Sequence, residues 1–212
     1  MLIVRMGFVP ESDVGRRFVA ELERIGALKT GHFLLASGRH SDRYIEKFDL
    51  LRQPRATEAA CRSLIELLGD LSDVTLVVGP TTGGILLAFE VARQLGLPAA
   101  YAERASDGSS TRAFKRGTVI PPGTVALVVD DILTTGGSIR ETLLALDRWN
   151  ARVHSIGVLV DRSGGAVAFG APLVGLAAFQ IDTWAAEECP LCGQGAPLIK
   201  PGSTTAPGSR VV

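Results

Sequence analysis

The fold class predicted by the sequence is an α/β domain built on a mostly parallel central sheet with helices on both faces. Three observations predict it. Short, mainly apolar runs, Thr75–Val78, Val125–Val129 and Val153–Val160, read as strands buried on both sides. They alternate with segments whose apolar residues recur at helical spacing, the pattern of strand–helix–strand units. Two of the strands run into the same Thr-Thr-Gly-Gly turn, at 81–84 and at 134–137. In such sheets, ligands bind beyond the carboxyl ends of the strands, where these turns fall.

The elements follow in order. Ser12 and Asp13 can cap a helix over Val14–Leu28, with Phe18, Val19, Leu22 and Ile25 on one face. Gly31–Leu35 and Arg43–Phe48 read as short strands joined by a polar turn. Pro54 opens a helix that stops near Gly69. Thr75–Val78 is a strand, Gly84–Leu95 a helix and Pro98–Ala102 a brief strand, before a polar stretch from Glu103 to Arg116. Val125–Val129 is followed by a helix over Gly137–Trp149, and Val153–Val160 and Leu173–Phe179 complete the pattern as strands.

Bulk composition narrows the function. With 22 basic and 22 acidic residues, nothing global favours nucleic acid or an anionic membrane surface. No apolar run approaches the roughly 18 residues of a membrane span. The short apolar start has neither basic leader nor cleavage site, so a cytoplasmic protein is expected. Cys61, Cys189 and Cys192 are too few for a disulfide scaffold. Cys189-Pro-Leu-Cys192 has the spacing of half a zinc site. Only Cys61, His32, His40, His154 and carboxylates could complete it, and no second ligand pair lies nearby in sequence. Two thiols in a C-terminal turn, with no metal site, are the expectation.

The most informative segment is Val125–Glu141, VALVVDDILTTGGSIRE. Asp130 and Asp131 at a strand end can accept hydrogen bonds from sugar hydroxyls. Thr134, Thr135, Gly136, Gly137 and Ser138 offer hydroxyls and open backbone N–H groups to a phosphate at a helix start. A turn and helix cap would use some of the same residues. The order strand, acidic pair, hydroxyl-rich turn favours a ligand carrying both ribose and phosphate. Gly79-Pro80-Thr81-Thr82-Gly83-Gly84 repeats that logic and supplies a second anion site.

The stretch from Val128 to Ser138 resembles the phosphoribosyl-pyrophosphate (PRPP) signature of type I phosphoribosyltransferases. The resemblance implies that family's fold, with a small N-terminal hood, and a PRPP site at Asp130, Asp131, Thr134, Thr135, Gly136, Gly137 and Ser138. It makes Thr81, Thr82, Gly83 and Gly84 the pyrophosphate loop. Ser37-Gly38-Arg39-His40-Ser41 is similar to the Ser-Gly-Arg-x-Ser segment of orotate phosphoribosyltransferases, and Glu188-Cys189-Pro190-Leu191-Cys192 resembles the ending of one bacterial branch. Orotate is a flat pyrimidine carboxylate. The resemblance assigns it Ser37, Gly38, Tyr44, Thr134 and Arg162, the last as a bidentate carboxylate clamp.

By the same resemblance, one domain spans 1–212: a hood of about 1–50 plus the C-terminal segment, a core of about 51–182 and a loose tail from about 201. The 103–116 stretch is expected to close as a lid, with Asp131, Arg104 and Lys115 as catalytic candidates and Arg112 and Arg116 as further cations. Two departures stand out: Ala36 replaces a lysine found in many members, and the lid lacks their histidine. Mg²⁺ carried mainly by PRPP is the implied cofactor, and a homodimer the implied assembly. Transfer of phosphoribose to a purine base is the nearest alternative. A PRPP-sensing regulator without catalysis is a more distant one.

Overall fold

A computed structural model describes residues 12–105, 111–179 and 181–201. The expected N-terminal apolar start, the Gly108-Ser109-Ser110 centre of the lid and nearly all of the tail lie outside these residues.

Helix α1 (Asp13–Arg24) starts where the Ser12 hydroxyl accepts the Gly15 N–H at 3.0 Å. Strands β1 (Leu28–Leu34) and β2 (His40–Ile45) form a hairpin. The second strand begins and ends three residues earlier than the sequence suggests. Glu46 accepts the Phe48 N–H and caps a short helix, α2 (Lys47–Leu51), so the chain leaves the strand there. Then follow α3 (Pro54–Leu68), β3 (Leu76–Pro80), α4 (Gly83–Leu95), β4 (Ala99–Arg104) and β5 (Arg112–Phe114). β6 (Val125–Leu133), α5 (Gly137–Asp147), β7 (Arg152–Asp161) and β8 (Leu173–Ala178) complete the main layer. The C-terminal segment adds β9 (Thr183–Trp184), α6 (Pro190–Gly193) and β10 (Leu198–Ile199), none of which the sequence announced.

The main sheet has the order β5-β4-β3-β6-β7-β8. All its pairings are parallel except β4–β5, a hairpin that forms the base of the expected lid. Alternate strand residues go to opposite faces. Val77, Leu127 and Val129 join a core with Phe18, Leu22, Leu64 and Leu87 of α1, α3 and α4. Val78, Val128, Ile156 and Val158 pack with Ile139 and Leu146 of α5 on the other side. Both faces are therefore covered, which is why these strands read as mainly apolar runs.

The smaller sheet has the order β10-β1-β2-β9. Its two inner strands come from the N-terminal region and both outer ones from the C-terminal segment, so the hood is stitched from the two ends of the described chain.

Candidate active site

β3 and β6 lie side by side and in parallel, so their two Thr-Thr-Gly-Gly turns emerge at the same edge of the sheet. Each leads directly into a helix, α4 after the first and α5 after the second. Both N-termini thus point unpaired N–H groups and the positive end of a helix dipole at the same region.

Close packing explains the glycines. A Cβ on Gly79 would lie 2.0 Å from the Gly84 carbonyl oxygen, and one on Gly83 only 1.8 Å from Asp131 Oδ2. The first turn therefore folds directly onto the acidic pair at the end of β6. Gly136 has φ +79°, left-handed backbone that suits glycine.

Asp130 and Asp131 are part of β6 itself and are both buried. Being consecutive in a strand, they project to opposite faces and meet different neighbours. Each carboxylate accepts the next backbone N–H, Asp130 from Asp131 at 2.8 Å and Asp131 from Ile132 at 2.7 Å. Asp130 opens on a cavity of about 220 Å³ walled by the 134–138 loop and Arg104. Burial, then the neighbouring Asp131 charge, pushes the Asp130 carboxyl up to about 7. Asp131 Oδ2 lies 2.8 Å from Lys47 Nζ, an ion contact without the alignment of a hydrogen bond. That oxygen is otherwise buried and unpartnered.

The four cations expected to serve the lid separate into distinct roles. Arg104, exposed at the end of β4, lines the cavity. Lys115 Nζ donates to the Arg104 carbonyl at 2.6 Å and does not line the cavity. Arg116 pairs with Glu103 at 2.9 Å. Arg112 is not a lid cation: it is 2 % exposed and clamps the two turns together. Its Nη1 donates to Thr81 Oγ1 and the Ala102 carbonyl, both at 2.9 Å, and its Nη2 to Thr81 O at 3.3 Å and Ser138 Oγ at 3.4 Å. Glu141 Oε2 lies 3.2 Å from Arg112 Nε as the counter-charge.

Arg162 follows β7, and its N–H donates to the Leu133 carbonyl at 2.8 Å, which sets it beside the start of the 134–138 loop. Its Nε is buried and has no acceptor, a donor well suited to an incoming carboxylate. Burial lowers the proton affinity of its guanidinium, while the nearby Tyr44 hydroxyl favours its charge. Tyr44 stands on β2 with its ring 5.7 Å from that of Phe33. Ser37 and Gly38 form the exposed β1–β2 turn, where Gly38 has φ +78°. Arg39 of the same turn donates to Thr183 Oγ1 at 2.9 Å and to its carbonyl at 2.6 Å, which ties the turn to β9.

Sequence reasoning missed Lys47 and the clamp made by Arg112. Lys47 carries only a weak signal, a lone lysine three residues after Tyr44. It also missed the company of the C-terminal thiols. Cys189 and Cys192 do not stand without a second ligand pair, because His32 and His40 of the hood converge on them. The separation in sequence, about 150 residues or more, hid this grouping.

Two Thr-Thr-Gly-Gly turns that open helices side by side, an acidic pair at the end of β6 and a covering hood define the phosphoribosyltransferase class. The family model for the phosphoribosyl transferase domain matches residues 49–181. Relatives include an orotate phosphoribosyltransferase from Pelotomaculum thermopropionicum, 44% identical over 87% of this chain and 95% of its own length. Another, from Heliobacterium modesticaldum, is 45% identical over 84% of this chain and 93% of its own. Among solved structures, the orotate phosphoribosyltransferase of Aeropyrum pernix superposes with a TM-score of 0.65 and 32% identity, over 77% of this chain and 94% of its own. The chain belongs to the orotate phosphoribosyltransferase family.

Proposed function

We infer that this chain transfers the phosphoribosyl group of PRPP to orotate, giving orotidine 5'-monophosphate and pyrophosphate. The observation that carries the reading is the meeting of the two Thr-Thr-Gly-Gly turns around Asp130 and Asp131, beside Arg162, whose buried Nε has no acceptor. In this reading the 134–138 loop takes the 5-phosphate and the 81–84 loop the pyrophosphate. The acidic pair orients the ribose hydroxyls.

Tyr44 covers the flat base, the Ser37-Gly38 turn closes over it and Arg162 pairs with its carboxylate. A purine has no carboxylate to satisfy that guanidinium, which favours orotate over the purine alternative. The reaction needs alignment and charge stabilisation more than covalent help. Arg104, exposed and facing the cavity, is placed to follow charge growing on the leaving pyrophosphate. Lys115 acts through it, by holding the Arg104 carbonyl.

The hard oxygen donors of Asp130 and Asp131, including Asp131 Oδ2, which has no hydrogen-bond partner beside its ion contact with Lys47, suit Mg²⁺ carried on PRPP. When bound, the ion neutralises pyrophosphate charge. Lys47 holds Asp131 until that charge arrives.

The free cysteines favour a reducing compartment, consistent with a cytoplasmic enzyme. Among the described residues no helix is long and apolar enough to cross a membrane. Leu86 and Phe89, exposed and three residues apart on α4, offer apolar surface that a second subunit would cover in a homodimer.

The test supplies PRPP and Mg²⁺ with orotate, adenine or xanthine in turn, following base consumption by ultraviolet absorbance. Orotate alone should be consumed. Consumption of a purine with orotate untouched would overturn the assignment of the base.

A further inference from the structure

We propose that His32, His40, Cys189 and Cys192 hold a structural zinc ion that locks the C-terminal segment onto the hood. One ligand atom from each lies within 4.8 Å of all the others. Cys189 Sγ is 3.4 Å from His32 Nε2, and Cys192 Sγ is 3.7 Å from the same nitrogen. Cys192 Sγ is 3.3 Å from His40 Nδ1, and the two ring nitrogens are 2.9 Å apart. Zn–S bonds of about 2.3 Å and Zn–N bonds of about 2.0–2.1 Å in a tetrahedron put nitrogen about 3.6 Å from sulfur and about 3.4 Å from nitrogen. The cluster is thus gathered to the size of one ion. A two-iron cluster would keep its imidazole pair apart from its thiolate pair, whereas here the donors are intermixed.

The surroundings support the same reading. His32 Nδ1 lies 2.9 Å from the Ala196 carbonyl. The carbonyl can only accept, so the proton sits on Nδ1 and the lone pair of Nε2 faces the thiols. This outer hydrogen bond is what a metal-bound imidazole requires. His32, His40 and Cys189 are buried, although Cys192 is exposed. Four protein ligands close the coordination sphere, which marks a structural ion, and two imidazoles with two thiolates select zinc over the hard cations. Cys189 is the N-cap of α6 and Cys192 lies within it, while His32 and His40 belong to β1 and β2. The ion would cross-link elements about 150 or more residues apart, where β10 has only two residues paired with β1. This assignment does not depend on which base the enzyme takes.

The experiment uses protein expressed without a histidine tag and purified under reducing conditions without chelator. Elemental analysis should find about one zinc per chain in the wild type and less than about a tenth of that in Cys189→Ser/Cys192→Ser. X-ray absorption at the zinc edge should report two sulfur ligands at about 2.3 Å and two nitrogens at about 2.0–2.1 Å. If the double variant does not fold, stripped wild type offered Co²⁺ decides instead, through the thiolate-to-cobalt absorption of a tetrahedral site. Wild type that holds no zinc and takes up neither Zn²⁺ nor Co²⁺ after reduction would overturn the proposal. So would bound iron, or a zinc shell containing no sulfur.

Discussion

Replacing Asp130 by Asn should stabilise the protein, and by more at alkaline than at acidic pH. Asp130 is 8 % exposed, and its carboxyl is raised from an ordinary value near 3.8 to about 7 by burial and by Asp131. A raised carboxyl means that the folded state keeps a proton which the unfolded chain has released. Below about pH 3.8 both states are protonated and the group contributes nothing to the difference. Between about 3.8 and 7 stability falls as pH rises, by about 1.4 kcal/mol per unit, and above about 7 the loss is constant. Asn is neutral throughout and can still accept the Asp131 N–H through its carbonyl oxygen. The stabilisation should therefore be about 2 kcal/mol near pH 5 and about 4 kcal/mol near pH 8. Urea unfolding of both proteins at the two pH values reads this directly. A gap that fails to widen with pH, or a variant less stable at both values, would refute the account of the acidic pair.

Three other substitutions probe the site. Arg104→Ala should lower turnover by about 100-fold, with a much smaller change in the Michaelis constant for PRPP, because a group that meets developing charge acts on the transition state; steady-state kinetics decides. Arg112→Met should lower unfolding free energy by about 3 kcal/mol, since the clamp between the turns is lost and Glu141 loses its buried partner; denaturant melts measure it. Gly83→Ala places a methyl where Asp131 Oδ2 stands, so PRPP affinity should fall at least about tenfold in a protein whose circular dichroism shows it folded.

The parallel sheet and its two turns were legible because local signals carry them. Apolar strands, helix caps and Gly-rich turns each lie within a few residues of one another, and their pairing follows from the strand–helix alternation. β6 ran further than expected, because nothing local says that a strand can continue through two aspartates once both are buried. Arg112 reads like any polar-loop cation; only its burial in the fold, with hydrogen bonds to Thr81, Ala102 and Ser138, shows that its side chain enters the protein. The hood was half visible. Its hairpin has sequence signals, but β9 and β10 are two residues each and carry no periodicity. The His–Cys grouping could not be found from spacing at all, since its halves come from opposite ends of the chain.

The hood's construction also sets an order of assembly. β1 and β2 leave the ribosome early, yet the strands that flank them on both sides are made after the whole parallel sheet. Closing a loop of more than about 140 residues costs little more free energy than closing half that length, but it must wait for synthesis. The nascent chain can thus build its two Thr-Thr-Gly-Gly turns while the hood is still open. Products released before residue 183 would keep the sheet and its acidic pair yet lack both outer hood strands. Such fragments would present the two turns beneath an unfinished hood, so the piece of the fold completed last is the one that borders both inner hood strands.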